Sequence, residues 1–283
     1  MTILSFSTHQ TTKVACSIAL LLFGLSCFTA VAQNRANSGA GQVRKVAFPS
    51  PYVRMLAIQA YLEQEGIEVK WSEEYNRTAL TDLDVNSLAD DEVTLCTAIG
   101  IRLSDGVIAL LGKDEKKMRR CAQDIQSCAR KLEAGLDDMP AIGQLSRSIE
   151  AGDWSHTLFE LGMIQQEIVA KLDADVDSTA TVVVASGAWL QGIIYASNLI
   201  LDHQKEVDLS NMLRAPQIAS FLGEKLQGLP EDVKEIPQFR TSLKVLKSVE
   251  AIIDIDRDET IEPEKLVALR NVASEALAPI KDK

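Results

Sequence analysis

The stretch from Ser178 to Leu201, STATVVVASGAWLQGIIYASNLIL, carries no charge between Asp177 and Asp202. Wound as a helix it has apolar residues on every face, so no side of it suits water and it must be enclosed. A shell of other helices or a lipid bilayer would do this, and 24 residues (178 to 201) are enough to span a bilayer. Ser186, Gln191, Ser197, Asn198 and two glycines are spread through the run and favour the helical shell. Val182, Val183 and Val184 are β-branched and leave a short initial strand open. Ala188, Gly192 and Ala196 recur at every fourth position, which would let another helix backbone come close. The reading is the central buried helix of an all-α domain.

The N-terminus points to a compartment. Lys13 precedes an apolar run from Val14 to Phe28, and Ala30-Val31-Ala32 places small residues where a signal peptidase reads. Residues 1–32 therefore read as a signal peptide cleaved after Ala32, giving a periplasmic or secreted protein. Cys27 raises lipidation, but Gly24-Leu25-Ser26 before it lacks a large apolar residue three positions upstream. A retained signal or a lipidated Cys27 would tether the chain to a membrane. The remaining 283 − 32 = 251 residues divide into a polar leader, 33–44, and a single α-helical domain, 45–283. Loss of Lys13 takes the net charge from −11 to −12. Such an acidic chain excludes nucleic acid as an expected partner; the oligomeric state is not encoded in any pattern.

Turn and cap signals set out the helices. Ser50-Pro51 opens one that runs to about Glu65, with Gly66 as its stop. Ile67 to Trp71 alternates and reads as a brief extended piece, and Glu73 to Asp84 as irregular. A hairpin follows: Asp90 or Asp91 to Gly112, then Asp114-Glu115 to about Gly135, antiparallel because the connection is short. Pro140 starts a helix to about Ala151, Asp153 caps the next, and the central helix comes after it. Three more start at Pro216, Pro237 and Ile261, with a polar connector between Pro230 and Pro237. The 34-residue spacing of tetratricopeptide repeats is missing. The expected fold is an irregular multi-helix bundle of eight or nine helices.

Two stretches carry a resemblance. One is Gly100-Ile-Arg-Leu-Ser-Asp105-Gly-Val-Ile-Ala109 with the helix ending Ala129-Arg-Lys-Leu132. The other is Gly187-Ala-Trp189-Leu-Gln191-Gly192-Ile-Ile-Tyr195-Ala196. They resemble an uncharacterised group of exported bacterial all-helical proteins, in which a Gly-x-Trp-x-Glu-Gly-x-Tyr-like core is similar. Gln191 stands here where glutamate is expected. The resemblance implies an exported helical fold and no particular activity.

Candidate chemistry is sparse. Asp254, Asp256 and Asp258 offer oxygen ligands at positions 1, 3 and 5 of a loop between two helices, as in an EF-hand. Position 6 is Glu259 instead of glycine, and position 12 is Lys265 instead of a bidentate glutamate. Weak Ca2+ binding at 254–265 stands beside a solvated acidic connector that complements the next helix's N-terminus; no other cofactor is expected. Arg102 and Asp105 sit three apart in an apolar helix and could line a pocket or only satisfy each other. Trp189, Gln191 and Tyr195 could line a ligand cleft or belong to the core. No catalytic motif with proper spacing is present.

Three cysteines follow the signal. With the hairpin turn centred between Lys113 and Asp114, Cys96 and Cys128 are nearly level, while Cys121 is offset by roughly 14 Å at about 1.5 Å per residue. A disulfide, if formed, joins Cys96 and Cys128; otherwise all three are small buried residues. The leading functional reading is an exported soluble protein with a binding or structural role in the cell envelope, more a non-enzyme than an enzyme. The alternatives are an enzyme with its site between the Arg102/Asp105 and Trp189/Tyr195 helices, and a weak calcium-responsive helix pair.

Overall fold

Proline and aspartate mark most of the helix starts. The computed structural model describes residues 51–80, 83–132, 140–172, 179–256 and 259–281, which all fall in one unit spanning Phe48–Lys283. The expected signal peptide, Cys27 and the leader lie outside these residues. The α-helices are α1 (Pro51–Gln64), α2 (Trp71–Thr78), α3 (Glu92–Leu111), α4 (Glu115–Lys131), α5 (Pro140–Glu150) and α6 (Trp154–Leu172). They continue with α7 (Thr179–His203), α8 (Pro216–Gln227), α9 (Glu231–Lys234), α10 (Pro237–Ile253) and α11 (Pro263–Lys281). Five of them begin on proline, whose missing N–H goes unused in a first turn. Asp91 caps α3 through Thr94 N at 2.8 Å, and Asp114 caps α4 through Lys117 N at 3.1 Å.

The all-α class holds, but the described residues contain eleven α-helices, not eight or nine. The two additions are α2 and α9. Expected as irregular, α2 has the sequence WSEEYNRT and buries Trp71, Glu74, Tyr75 and Thr78, spaced i, i+3, i+4, i+7. Its buried face is half polar, so hydrophobic periodicity alone does not reveal it. The piece expected to be extended, 67–71, is irregular to Lys70, and Trp71 already belongs to α2. The other addition, α9, is a single turn within the polar connector.

At the centre α7 is buried at every residue from Ala180 to Ile200. Its most extensive partner is α3, buried at every residue from Val93 to Leu110. Both are long and apolar enough to cross a membrane, and both are covered here by neighbouring helices: α1 and α11 lie on α7, and α4 on α3. Farther out α10 joins α8 to α11, and α5 pairs with α6.

The α3–α7 crossing is made by backbone. A Cβ on Gly100 would sit 2.3 Å from the Val184 carbonyl oxygen and 2.7 Å from Ala188 N. One on Gly187 would sit 2.9 Å from the Thr97 carbonyl oxygen. The close approach expected of α7's small residues is thus real at Ala188, with Gly187 beside it and Gly100 opposite.

The α3–α4 turn closes with Asp114 N donating to Ala109 O at 2.9 Å and Lys113 N to Leu110 O at 2.9 Å, the paired bonds of a Schellman motif. Gly112 was expected to end the helix. It does so as the C-cap, and Lys113 after it takes the left-handed conformation, with φ 52°. Gly112 serves packing: a Cβ there would meet Ser72 Oγ at 3.3 Å and Trp71 Cβ at 3.4 Å.

Candidate functional site

Arg102 and Asp105 lie one turn apart on α3 and are both 0 % exposed. Two opposite charges held out of water need hydrogen bonds as well as each other. Arg102 Nη1 donates to Asp105 Oδ2 at 3.1 Å. Arg102 Nε donates to Asp124 Oδ2 at 2.8 Å, and Nη2 reaches the same oxygen. Asp124 comes from α4, which the tight turn folds back along α3. Its second oxygen faces Arg120 Nε at 3.2 Å. Two arginines and two aspartates thus leave the cluster formally neutral.

Asp105 is the hub. Besides Arg102, its Oδ2 accepts from Leu80 N at 3.0 Å, just after α2. Its Oδ1 accepts from Gln191 Nε2 and Tyr195 OH, each at 2.8 Å, both from α7. One carboxylate therefore receives four donors from three separate stretches of chain. Burial alone lowers the Arg102 pKa, but the facing Cys121, Asp105 and Asp124 groups more than reverse this and hold it above its ordinary value. Burial, then the neighbouring Asp105 carboxylate, pushes the Tyr195 phenol well up.

A polar stripe leads from this hub toward the surface. Gln191, Tyr195, Asn198 and Asp202 share one edge of α7 and meet the polar face of α2. Gln191 Nε2 also donates to Thr78 O at 3.3 Å. Asn198 Nδ2 donates to Thr78 Oγ1 at 2.8 Å and to Glu74 Oε1 at 3.2 Å, and Thr78 Oγ1 donates to Glu74 Oε1 at 2.8 Å. Arg77 closes the stripe: it binds Glu74 and grips both oxygens of Asp202 at 2.7 and 3.1 Å. Burial raises the Glu74 pKa, partly opposed by Thr78, Arg77 and Asn198.

Of the residues singled out from sequence, Arg102, Asp105, Gln191 and Tyr195 converge. Trp189 does not join them: its ring lies under Arg54 of α1, 5.7 Å from guanidinium carbon to ring centre. Asp254 and Asp256 are exposed in the α10–α11 loop, and Asp258 lies outside the described residues. That loop is tied to the segment before α8: Thr260 Oγ1 donates to Asp208 Oδ2 at 3.1 Å, and Ile261 N to Ser210 Oγ at 3.0 Å. No group of three or more His, Cys, Asp or Glu among the described residues is placed to hold a metal ion.

Cys96, Cys121 and Cys128 are buried free thiols, so the Cys96–Cys128 bridge is not made in this structure. Burial raises the Cys96 pKa, with nearby Glu92 and Cys128 adding to it, while Cys121 Sγ instead faces Tyr75 OH at 3.5 Å. Between α3, α4, α5 and α6 there is an apolar cavity of about 10 Å³ with Cys121 in its wall, room for about one water.

Sequence reasoning missed Asp124, Glu74, Thr78 and Asn198. Asp124 sits among Met118, Cys121, Ile125 and Cys128 on the buried face of α4; a carboxylate inside an apolar stripe was the signal. Gln191, Tyr195, Asn198 and Asp202 follow i, i+4, i+7, i+11 on an otherwise apolar helix, and that spacing also marks one edge. Compared with protein-family models, curated proteins and solved structures, the chain matches none.

Proposed function

We propose that this is an exported, acidic, all-helical protein with a binding or structural role in the cell envelope, in which the Arg102–Asp105 cluster is a clamp and not a catalyst. The fourfold bonding of Asp105 carries this reading. A general base needs a free lone pair aimed at substrate; every acceptor position of this carboxylate is taken by the chain's own groups. The form of residues 1–32 and the resemblance to exported helical proteins support the compartment.

The test is made in cells. The mature chain is expected to begin at Gln33 in the periplasmic or secreted fraction, and in-cell cross-linking is expected to recover the same envelope component reproducibly. A chain starting at Met1 in the cytosol, or at a lipidated Cys27, would sink the soluble exported reading. The enzyme alternative draws on the convergence of Arg102, Asp105, Gln191 and Tyr195. Under it, Asp105→Asn would abolish a turnover while leaving the fold intact. The calcium-responsive alternative draws on the exposure of Asp254 and Asp256, and calorimetric titration with Ca2+ decides it.

A further inference from the structure

The last turn of α2 holds a motif beyond the polar stripe, in the run Glu74-Tyr75-Asn76-Arg77-Thr78. Asparagine, any residue but proline, then serine or threonine is the acceptor for N-linked sugar in exported chains. Of the seven asparagines in the sequence, only Asn76 has serine or threonine two positions on. Glu74, two positions before it, supplies the acidic residue that the bacterial form of the motif adds. Such a motif is short and arises by chance; the placement of its side chains is what singles this one out.

The fold sorts these side chains. Glu74, Tyr75 and Thr78 are buried, while Asn76 is exposed and makes no hydrogen bond to another described residue. Asparagine is a poor helix former unless it caps. Asn76 neither caps α2 nor joins its buried face, and the helix ends two residues later, before Ala79 in extended conformation. A group attached to its Nδ2 would stand in solvent without displacing a native contact.

We infer that Asn76 is an N-glycosylation site, modified while the exported chain is still unfolded. The site rests on the export reading above. Asn76 Nδ2 attacks the anomeric carbon of a lipid-linked oligosaccharide diphosphate. The C–N bond forms, the C–O bond to the diphosphate breaks, the lipid diphosphate leaves, and the amide proton passes to a base of the transferase. The native structure sets the timing. Thr78 Oγ1, which a transferase must reach together with the amide, accepts from Asn198 Nδ2 and donates to Glu74 Oε1, each at 2.8 Å. The folded protein therefore hides it. Asn198 follows Asn76 by 198 − 76 = 122 residues, and until α7 has emerged the acceptor stays open. After folding, the sugar stands on the outward face of α2, beside the Arg77–Asp202 pair, and bars that face to a protein partner.

The test is the intact mass of the full chain isolated from the envelope or medium of the cells that make it, with peptide mapping across α2. A chain starting at Gln33 is expected to exceed its sequence mass by a sugar, and mapping is expected to place the excess on Asn76. Asn76→Gln, a change on an exposed face, is expected to remove the excess and keep the parent's circular dichroism spectrum. Thr78→Ser, which keeps the hydroxyl, is expected to retain at least part of it. A chain that starts at Gln33 with Asn76 bare overturns the site and leaves the export reading standing. An excess mass that survives Asn76→Gln overturns the site in the same way. A bare chain that starts at Met1 overturns both.

Discussion

Replacing Gly100 by alanine probes the α3–α7 crossing directly. The new Cβ would lie 2.3 Å from the Val184 carbonyl oxygen, where ordinary contact begins at 3.4 Å. Both obstructing atoms, that oxygen and Ala188 N, are backbone, so no side chain can rotate away. The two helices must part by about 1 Å, and such a gap forfeits a quarter to a half of each facing dispersion contact. On the order of 100 atom pairs at about 0.15 kcal/mol each, losing about a third, gives about 5 kcal/mol before relaxation. Tilting of α3 recovers part of this, and alanine gains about 1 kcal/mol over glycine in helix propensity. The net expected cost is about 2–4 kcal/mol. Gly187→Ala meets the Thr97 carbonyl oxygen at 2.9 Å, a smaller overlap, for a net cost of about 1 kcal/mol. Gly223→Ala in α8 meets nothing within 4 Å and should stabilise by up to about 1 kcal/mol. Urea unfolding followed by circular dichroism, with the m-value compared across the set, measures all three. A Gly100→Ala protein as stable as Gly223→Ala would refute the backbone contact.

Other expectations follow from the clamp and its surroundings. Asp105→Ala leaves Arg102, Gln191 and Tyr195 without their shared acceptor and should cost about 3–5 kcal/mol in the same assay. Lys113→Gly relieves a left-handed lysine at φ 52° and should raise stability by about 1 kcal/mol, read as a higher urea midpoint. Burial raises the Glu74 pKa, so its contribution is fully present below the ordinary glutamate pKa and is lost as pH rises through the raised folded value. Glu74→Gln keeps the oxygen that accepts from Thr78 and Asn198, and should gain stability relative to the parent at neutral pH but not in acid; an equal difference at both pH values would rule out the titration. Burial pushes the Cys121 thiol up to about 12, so iodoacetamide should label it at neutral pH only once denaturant unfolds the chain.

Most of the main helices were legible from a cap or proline start, and α3 and α7 from their long apolar content. The buried status of 178–201 followed from its lack of any polar side. Asp105 and Arg102 stood out for the same reason, as charges where the pattern demands apolar residues. Asp124 was hidden by composition: α4 is rich in charge, and one carboxylate on its buried face looks like another surface residue unless the stripe is traced. Likewise α2 has too few apolar residues to declare itself, because hydrogen bonds do much of the work of its contact with α7. Which of α7's small residues meets another backbone also depended on α3, since Gly100 selects Gly187 and Ala188 from a run with several candidates. The separation of Trp189 from Tyr195 is rotational: six residues turn a helix by about 600°, leaving the two side chains about 120° apart.

The Gly100–Gly187 crossing has a consequence in time. Its two backbones are 187 − 100 = 87 residues apart in sequence, and closing such a loop costs about 4 kcal/mol of chain entropy. The α3–α4 hairpin, joined by Gly112, Lys113 and Asp114, closes almost at once. At about 5–20 residues per second of synthesis, α7 follows Gly100 by about 4–17 s. Throughout that interval the newborn chain carries α3 with one neighbour in place and its widest apolar face bare. That delay is when a chaperone would have to hold this protein, and a slowed ribosome would lengthen the exposure before a single native contact of α7 had formed.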